Sequence, residues 1–184
     1  MRRAARCLMA VLLMTAGSAA AADLPVRGNL IRFRDPGPVS KRRFFFRTVK
    51  ESNVSLATIG NPIVDGATLH VFGSGVGDGD TGVILLPAEN WVPLNNGGYY
   101  YRDQAAASGG VSQVRIRPRG PLGGSIHISA HGTNWAYSLS QPQGTVRVQL
   151  TIGGDVFCAR FSDLQPNLAT RVQGKSNPAP GDCS

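Results

Sequence analysis

Two kinds of side chain in this sequence have the chemistry to hold a ligand: aromatic rings and arginines. Trp91, Tyr100 and Trp135 offer flat apolar faces with a polar edge, suited to stacking a sugar or a base. Arg115 and Arg117 alternate with Val114 and Ile116, and Arg32 and Arg34 alternate with Ile31 and Phe33. On an extended chain each set of arginines shares one face, where it could meet a glycan or an anionic envelope polymer. Lys41, Arg42 and Arg43 cluster just before "FFFRTVK", which adds Arg47 and Lys50. The same stripes also suit an ordinary wet sheet face that keeps a protein soluble and blunts its edges. The arginines come from segments far apart in the chain, and no nucleic-acid motif accompanies them, which disfavours nucleic acid as a partner. The expectation is a solvated face. The alternative is a carbohydrate- or polyanion-binding module using Trp91, Tyr100, Trp135, Arg115 and Arg117.

The stretch "NNGGYYYRDQ", residues 95–104, tests that alternative. Neighbouring side chains on a strand face opposite ways, so Tyr99 and Tyr101 share one face and Tyr100 takes the other. The outer pair is expected in the core with hydroxyls at its rim, and Tyr100 in solvent. "WAYSL" alternates Trp135, Tyr137 and Leu139 on one side, which favours a core face there too.

Metal and catalytic chemistry find less. Asp78 and Asp80 in "GVGDGDTG" have the alternate spacing of a calcium loop, but a hard cation needs six or more oxygens and the next acid, Glu89, is a strand away. His127 and His131 would meet on a helix, not on a strand followed by a Gly-containing turn, and zinc would need a further ligand from a distant segment. Ser125, Ser129, His127 and several aspartates form no recognisable catalytic pattern, since no Gly-x-Ser-x-Gly elbow, His-Glu-x-x-His or phosphate loop occurs. No metal, no cofactor and no catalytic residue is assigned, and the chain is not expected to be an enzyme.

The elements that must position these residues are strands. Period-two alternation bounded by Gly, Pro, Asn and Asp recurs in "NLIRFRD", "KRRFFFRTVK", "ATLHVFG", "GVILLPA", "GGYYYRD", "VSQVRIRP", "GSIHISA", "WAYSL", "GTVRVQLTIG" and "DVFCARF". About ten short strands at such spacing indicate a single all-β domain, an antiparallel β-sandwich or else a flattened barrel. "TIGGDVF" reads as a hairpin turning at Gly153-Gly154 or Gly154-Asp155. After Ser162, through residues 163–184, the chain reads as an extended tail with at most one helical turn.

The termini set the context. Arg2, Arg3 and Arg6, then an apolar run from Cys7 to Ala16, then Ala20-Ala21-Ala22 make the order of a secretory signal peptide over residues 1–22, cleaved near Ala22. The apolar run is shorter than the roughly 20 residues that cross a bilayer. Loss of Arg2, Arg3 and Arg6 would lower the formal charge from +8 to +5. Cys158 and Cys183 would remain, an even pair best read in a periplasmic or extracellular compartment as a disulfide tying the tail back to the domain of residues 23–162.

"LPAENWVPL", "GGYYYRD", "GGVSQVRIR", "WAYSL", "GTVRVQL" and "FCARF", in this order, resemble the pattern of uncharacterised secreted all-β proteins of environmental bacteria. The likeness covers roughly residues 66–161. It implies a β-rich exported domain and no particular activity. The sequence thus points to an exported, non-catalytic β-domain, structural or binding, with its ligand open.

Overall fold

A computed structural model describes residues 22–120 and 123–183. Of the expected signal segment, all but Ala22 lies outside the described residues. Among these residues thirteen strands form two sheets. They are β1 (Asp23–Pro25), β2 (Gly28–Arg34), β3 (Arg43–Thr48), β4 (Ala67–Gly73), β5 (Asp80–Leu86), β6 (Trp91–Pro93) and β7 (Tyr99–Arg102). Then come β8 (Val111–Arg117), β9 (Ser125–His131), β10 (Val146–Ile152), β11 (Asp155–Phe161), β12 (Leu164–Leu168) and β13 (Arg171–Asn177). One sheet has the order β1-β11-β10-β4-β5, and the other β12-β13-β2-β3-β9-β8-β7-β6. All pairings are antiparallel except β1 on β11.

The sheets make a sandwich, not a closed barrel. Alternation decides what each strand buries: Ile31 and Phe33 of β2, Phe44 and Phe46 of β3, and Val114 and Ile116 of β8 enter the core, opposite Leu69, Val71, Val148, Leu150 and Phe157 of the smaller sheet. Phe46 meets Phe161 edge-on across the layers, ring centroids 6.1 Å apart. Burying one such ring contributes about 1.5–3 kcal/mol. The β10–β11 hairpin turns on Gly153-Gly154, φ 59° and 98°, the positive pair that a two-residue turn of matching twist requires.

Two segments differ from the sequence reading. Residues 164–177 are not a tail. They form β12 and β13, and β13 pairs with β2 along its length. Their apolar alternation is weak because β13 has Gly174 where a side chain would point inward. A Cβ there would lie 2.7 Å from the Phe161 ring. "WAYSL" is extended but belongs to no strand. Trp135 stacks on Phe44 (4.7 Å) and Tyr137 on Phe33 (4.4 Å), so the alternation reports burial against one layer without a ladder.

The true tail, from residue 178, returns to the smaller sheet. Cys158 and Cys183 form a disulfide, Cα atoms 5.4 Å apart. The Cys183 N–H donates to Asp23 Oδ2 at 3.2 Å, and the Gln149 amide donates to the Cys183 carbonyl. The tail thus lies over the outer side of β10, β11 and β1. Among the described residues, no element lies over the outer side of the larger sheet.

Candidate polyanion-binding face

The pairing order of the larger sheet gathers residues that the chain keeps far apart. Register aligns Arg171, Arg34, Arg43 and His131 in one row across β13, β2, β3 and β9. A second row, four residues along the strands and so about 13 Å away, runs Lys175, Leu30, Arg47, His127, Arg115, Tyr100 and Val92. Between them lie Gln173, Arg32, Phe45, Ser129, Gln113 and Arg102. These rows face outward, because the residues that alternate with them along each strand enter the core; Gln173 is the buried member of the rows and accepts from Arg32 Nε at 3.1 Å.

Residues 22–183 hold sixteen lysines and arginines, nineteen less Arg2, Arg3 and Arg6, and all eleven acids. Nine of the sixteen lie on the eight strands of this sheet, and none of the eleven acids does. The other seven bases and every acid sit on the smaller sheet, the loops and the tail. Among the described residues, no carboxylate pairs with any of the nine. Ion pairs elsewhere include Arg27 with Glu51, Arg42 with Asp35, His70 with Asp80 and Arg160 with Asp182.

The distribution is more one-sided than solubility or edge protection requires. A face built only for solubility mixes both signs. Edge protection would put cations on the outermost strands, yet β12 and β6 carry no Lys or Arg. Pro166 and Pro93 blunt those edges instead. The cations occupy interior strands, where like charges directly opposite one another cost stability.

His127 lies between Arg47 of β3 and Arg115 of β8, with Arg117 diagonal to it. Burial, and then the charges of Arg47, Arg117 and Arg115, hold its imidazole below the ordinary histidine value. It stays neutral at neutral pH.

The expected site residues fare unequally. Trp91 and Trp135 are 3% and 1% exposed and cannot stack a ligand. Trp91 packs on Tyr101, and Trp135 is stacked on Phe44. Tyr101 is buried and Tyr99 partly so, with Tyr100 on the outer side, as alternation requires. The Tyr100 ring is covered by the Arg115 guanidinium at 4.9 Å, and its hydroxyl donates to Gln113 at 3.4 Å. Arg115 and Arg117 do lie on the cationic face, joined by Arg32, Arg34, Arg43, Arg47 and Arg171. The residue that sequence reasoning missed is Phe45. Its signal was present: in "RRFFFRT" the alternation that buries Phe44 and Phe46 turns Phe45 out among arginines.

Elsewhere the polar groups serve the fold. Asp78 accepts from the N–H groups of Gly75 and Gly144, and Asp80 from Gly82 and His70. Among the described residues no three His, Cys, Asp or Glu side chains gather as a metal site. His70 and Asp80 are 2.8 Å apart, but the His70 ring stacks on Phe72 and bonds no hydroxyl among those residues. No helix of the described residues is long and apolar enough to cross a membrane.

Comparison with known families, characterised proteins and solved structures finds no match to this chain. The reading of the face therefore rests on its own geometry.

Proposed function

We propose that this protein is an exported, non-catalytic module that holds an anionic polymer against the outer side of its eight-stranded sheet. The observation that carries the reading is the segregation of charge: nine cations and no carboxylate on the strands of one sheet. Such a face focuses a positive potential that draws in polyanions, and counterion release makes the complex sensitive to salt. The disulfide and the leader-like N-terminus fit a compartment in which envelope and extracellular polymers are at hand.

The test is titration of the protein with fluorescent heparin, polyphosphate and polyuronate at rising salt. Binding is expected to be micromolar or tighter at low salt. With about four contacts, log K should fall against log salt with a slope of about −3. Replacing Arg34, Arg43, Arg47 and Arg115 with glutamine should abolish it. Replacing Lys50, Arg119, Arg147 and Arg160, bases off these strands and outside the depressions of this face, should not. Absence of binding at low salt, or equal loss in both variants, refutes the reading.

A further inference from the structure

Phe45 is the unusual residue of the cationic face. It stands in the middle of β3, partly exposed, with Arg32 directly opposite on β2, and Arg43 and Arg47 two residues to either side on the same face. Among the described residues no arginine covers its ring and no other ring stacks on it, unlike Tyr100, Phe72 and most of the core aromatics. The ring lines a shallow depression of about 380 Å³ with Arg32, Arg34, Arg43, Ser129 and His131. That volume lies within the roughly 300–1,000 Å³ typical of small-ligand sites. A second depression, about 530 Å³, adjoins it across Arg34 and Arg43 and is lined by Lys41, Thr170 and Arg171.

Building on the polyanion reading, the geometry points to an acidic polysaccharide as the polymer, one sugar ring lying on Phe45 and its acid groups on Arg32, Arg34 and Arg43. The next unit along would place its acid among Arg171, Lys41 and the shared arginines. A ringless polyanion has nothing to cover Phe45, so the apolar platform selects a ligand that alternates flat C–H faces with charge. The neutral groups beside the ring match hydroxyls: Ser129 is the cross-strand partner of Phe45, and its hydroxyl lies 3.4 Å from the Gln113 amide that donates to it. Single-stranded nucleic acid is bound by successive exposed aromatics. Here the second ring of the face, Tyr100, is already occupied by Arg115, which leaves one platform.

The experiment compares full-length protein with Phe45→Ala and Phe45→Trp. Its ligands are a uronic-acid hexasaccharide, the same hexasaccharide methyl-esterified, polyphosphate of equal charge and an oligothymidylate of six nucleotides. The expected result is that Phe45→Ala weakens the hexasaccharide about tenfold, the loss of one stacking contact. Polyphosphate binding should be unchanged by that substitution, and Phe45→Trp should restore the hexasaccharide. Esterification should abolish binding. Because Phe45 lies on the outer side, both variants should unfold at the wild-type denaturant concentration. Equal hexasaccharide affinity in wild type and Phe45→Ala overturns the subsite, and intact polyphosphate binding would show that the cationic face survives it. Loss of every ligand by the wild type removes the face itself. A larger Phe45→Ala effect on the oligothymidylate than on the hexasaccharide overturns the carbohydrate assignment in favour of nucleic acid.

Discussion

Arg34→Gln should make the protein more stable while making it a poorer polyanion binder. Arg34 faces Arg171 on one side and Arg43 on the other, with Arg32 two residues away on the same face. No carboxylate of the described residues pairs with it, so removing its charge relieves repulsion and breaks no ion pair. Two unit charges about 8 Å apart in water repel by about 0.5 kcal/mol. Three such neighbours give about 1.5 kcal/mol before screening. At about 10 mM salt, where the Debye length is about 30 Å, about 1 kcal/mol of this should remain; at about 1 M, where it is about 3 Å, almost none.

Urea denaturation at both ionic strengths checks this. The variant's midpoint should exceed the wild-type midpoint at low salt and coincide with it at high salt, with the slope unchanged. A thermal scan at low salt should show a gain of about 2–4 °C. A loss of stability at low salt would mean that Arg34 has a favourable partner. A gain that persists at high salt would come from packing or propensity. Either result removes the premise that these cations are held together at a cost.

Replacing both cysteines with serine should lower stability by about 3 kcal/mol, since the bridge closes a loop with a sequence separation of 25, and should leave polyanion binding intact because the tail lies on the other sheet; matched urea and heparin titrations check both. His127 has its folded-state value held below the ordinary 6.5 by burial and by Arg47, Arg117 and Arg115, so the unfolded chain takes up a proton first as pH falls. Stability from this residue is complete above about pH 6.5 and is lost as pH falls from there through the lowered value, and His127→Gln should flatten that part of the stability curve. A bound polyanion has the opposite effect on the imidazole, so binding should tighten as pH falls from 7 to about 5 and take up protons, measured by calorimetry in two buffers of different ionisation enthalpy.

Period-two alternation made the faces legible. It put Phe33 and Ile31 inside and Arg32 and Arg34 outside, and split Tyr100 from Tyr99 and Tyr101, because side-chain direction along a strand is a local property. What alternation cannot carry is which strands become neighbours. β3 pairs with β9, reaching from Thr48 across to residues 125–131, and β13 joins β2 from the far end of the chain. Without those two pairings the arginines look scattered. Alternation also says nothing of what covers a face. Trp91 and Trp135 have the composition of a ligand platform, and only the second layer over them makes them core.

The β3–β9 ladder is the seam on which the whole face depends. One group of cations comes from β13, β2 and β3, the other from β8 and β7, and nothing but β9 stands between them. β9 contributes no permanent charge to the outer side, only Ser125, His127, Ser129 and His131. Arg43 and Arg47 therefore face imidazoles, not guanidiniums, across the seam, and so does Arg115 on the other side of His127. A lysine or arginine at either histidine would put like charges directly opposite one another in adjacent columns, the arrangement that sheets disfavour. Register matters as much as composition here. A slip of one residue at this ladder would turn Ile126, Ile128 and Ala130 outward and drive the histidines into the core, so the buried apolar row fixes the alignment of the charged one. The apolar side of β9 thus sets the register, and its polar side keeps the two groups of arginine adjacent but not opposed.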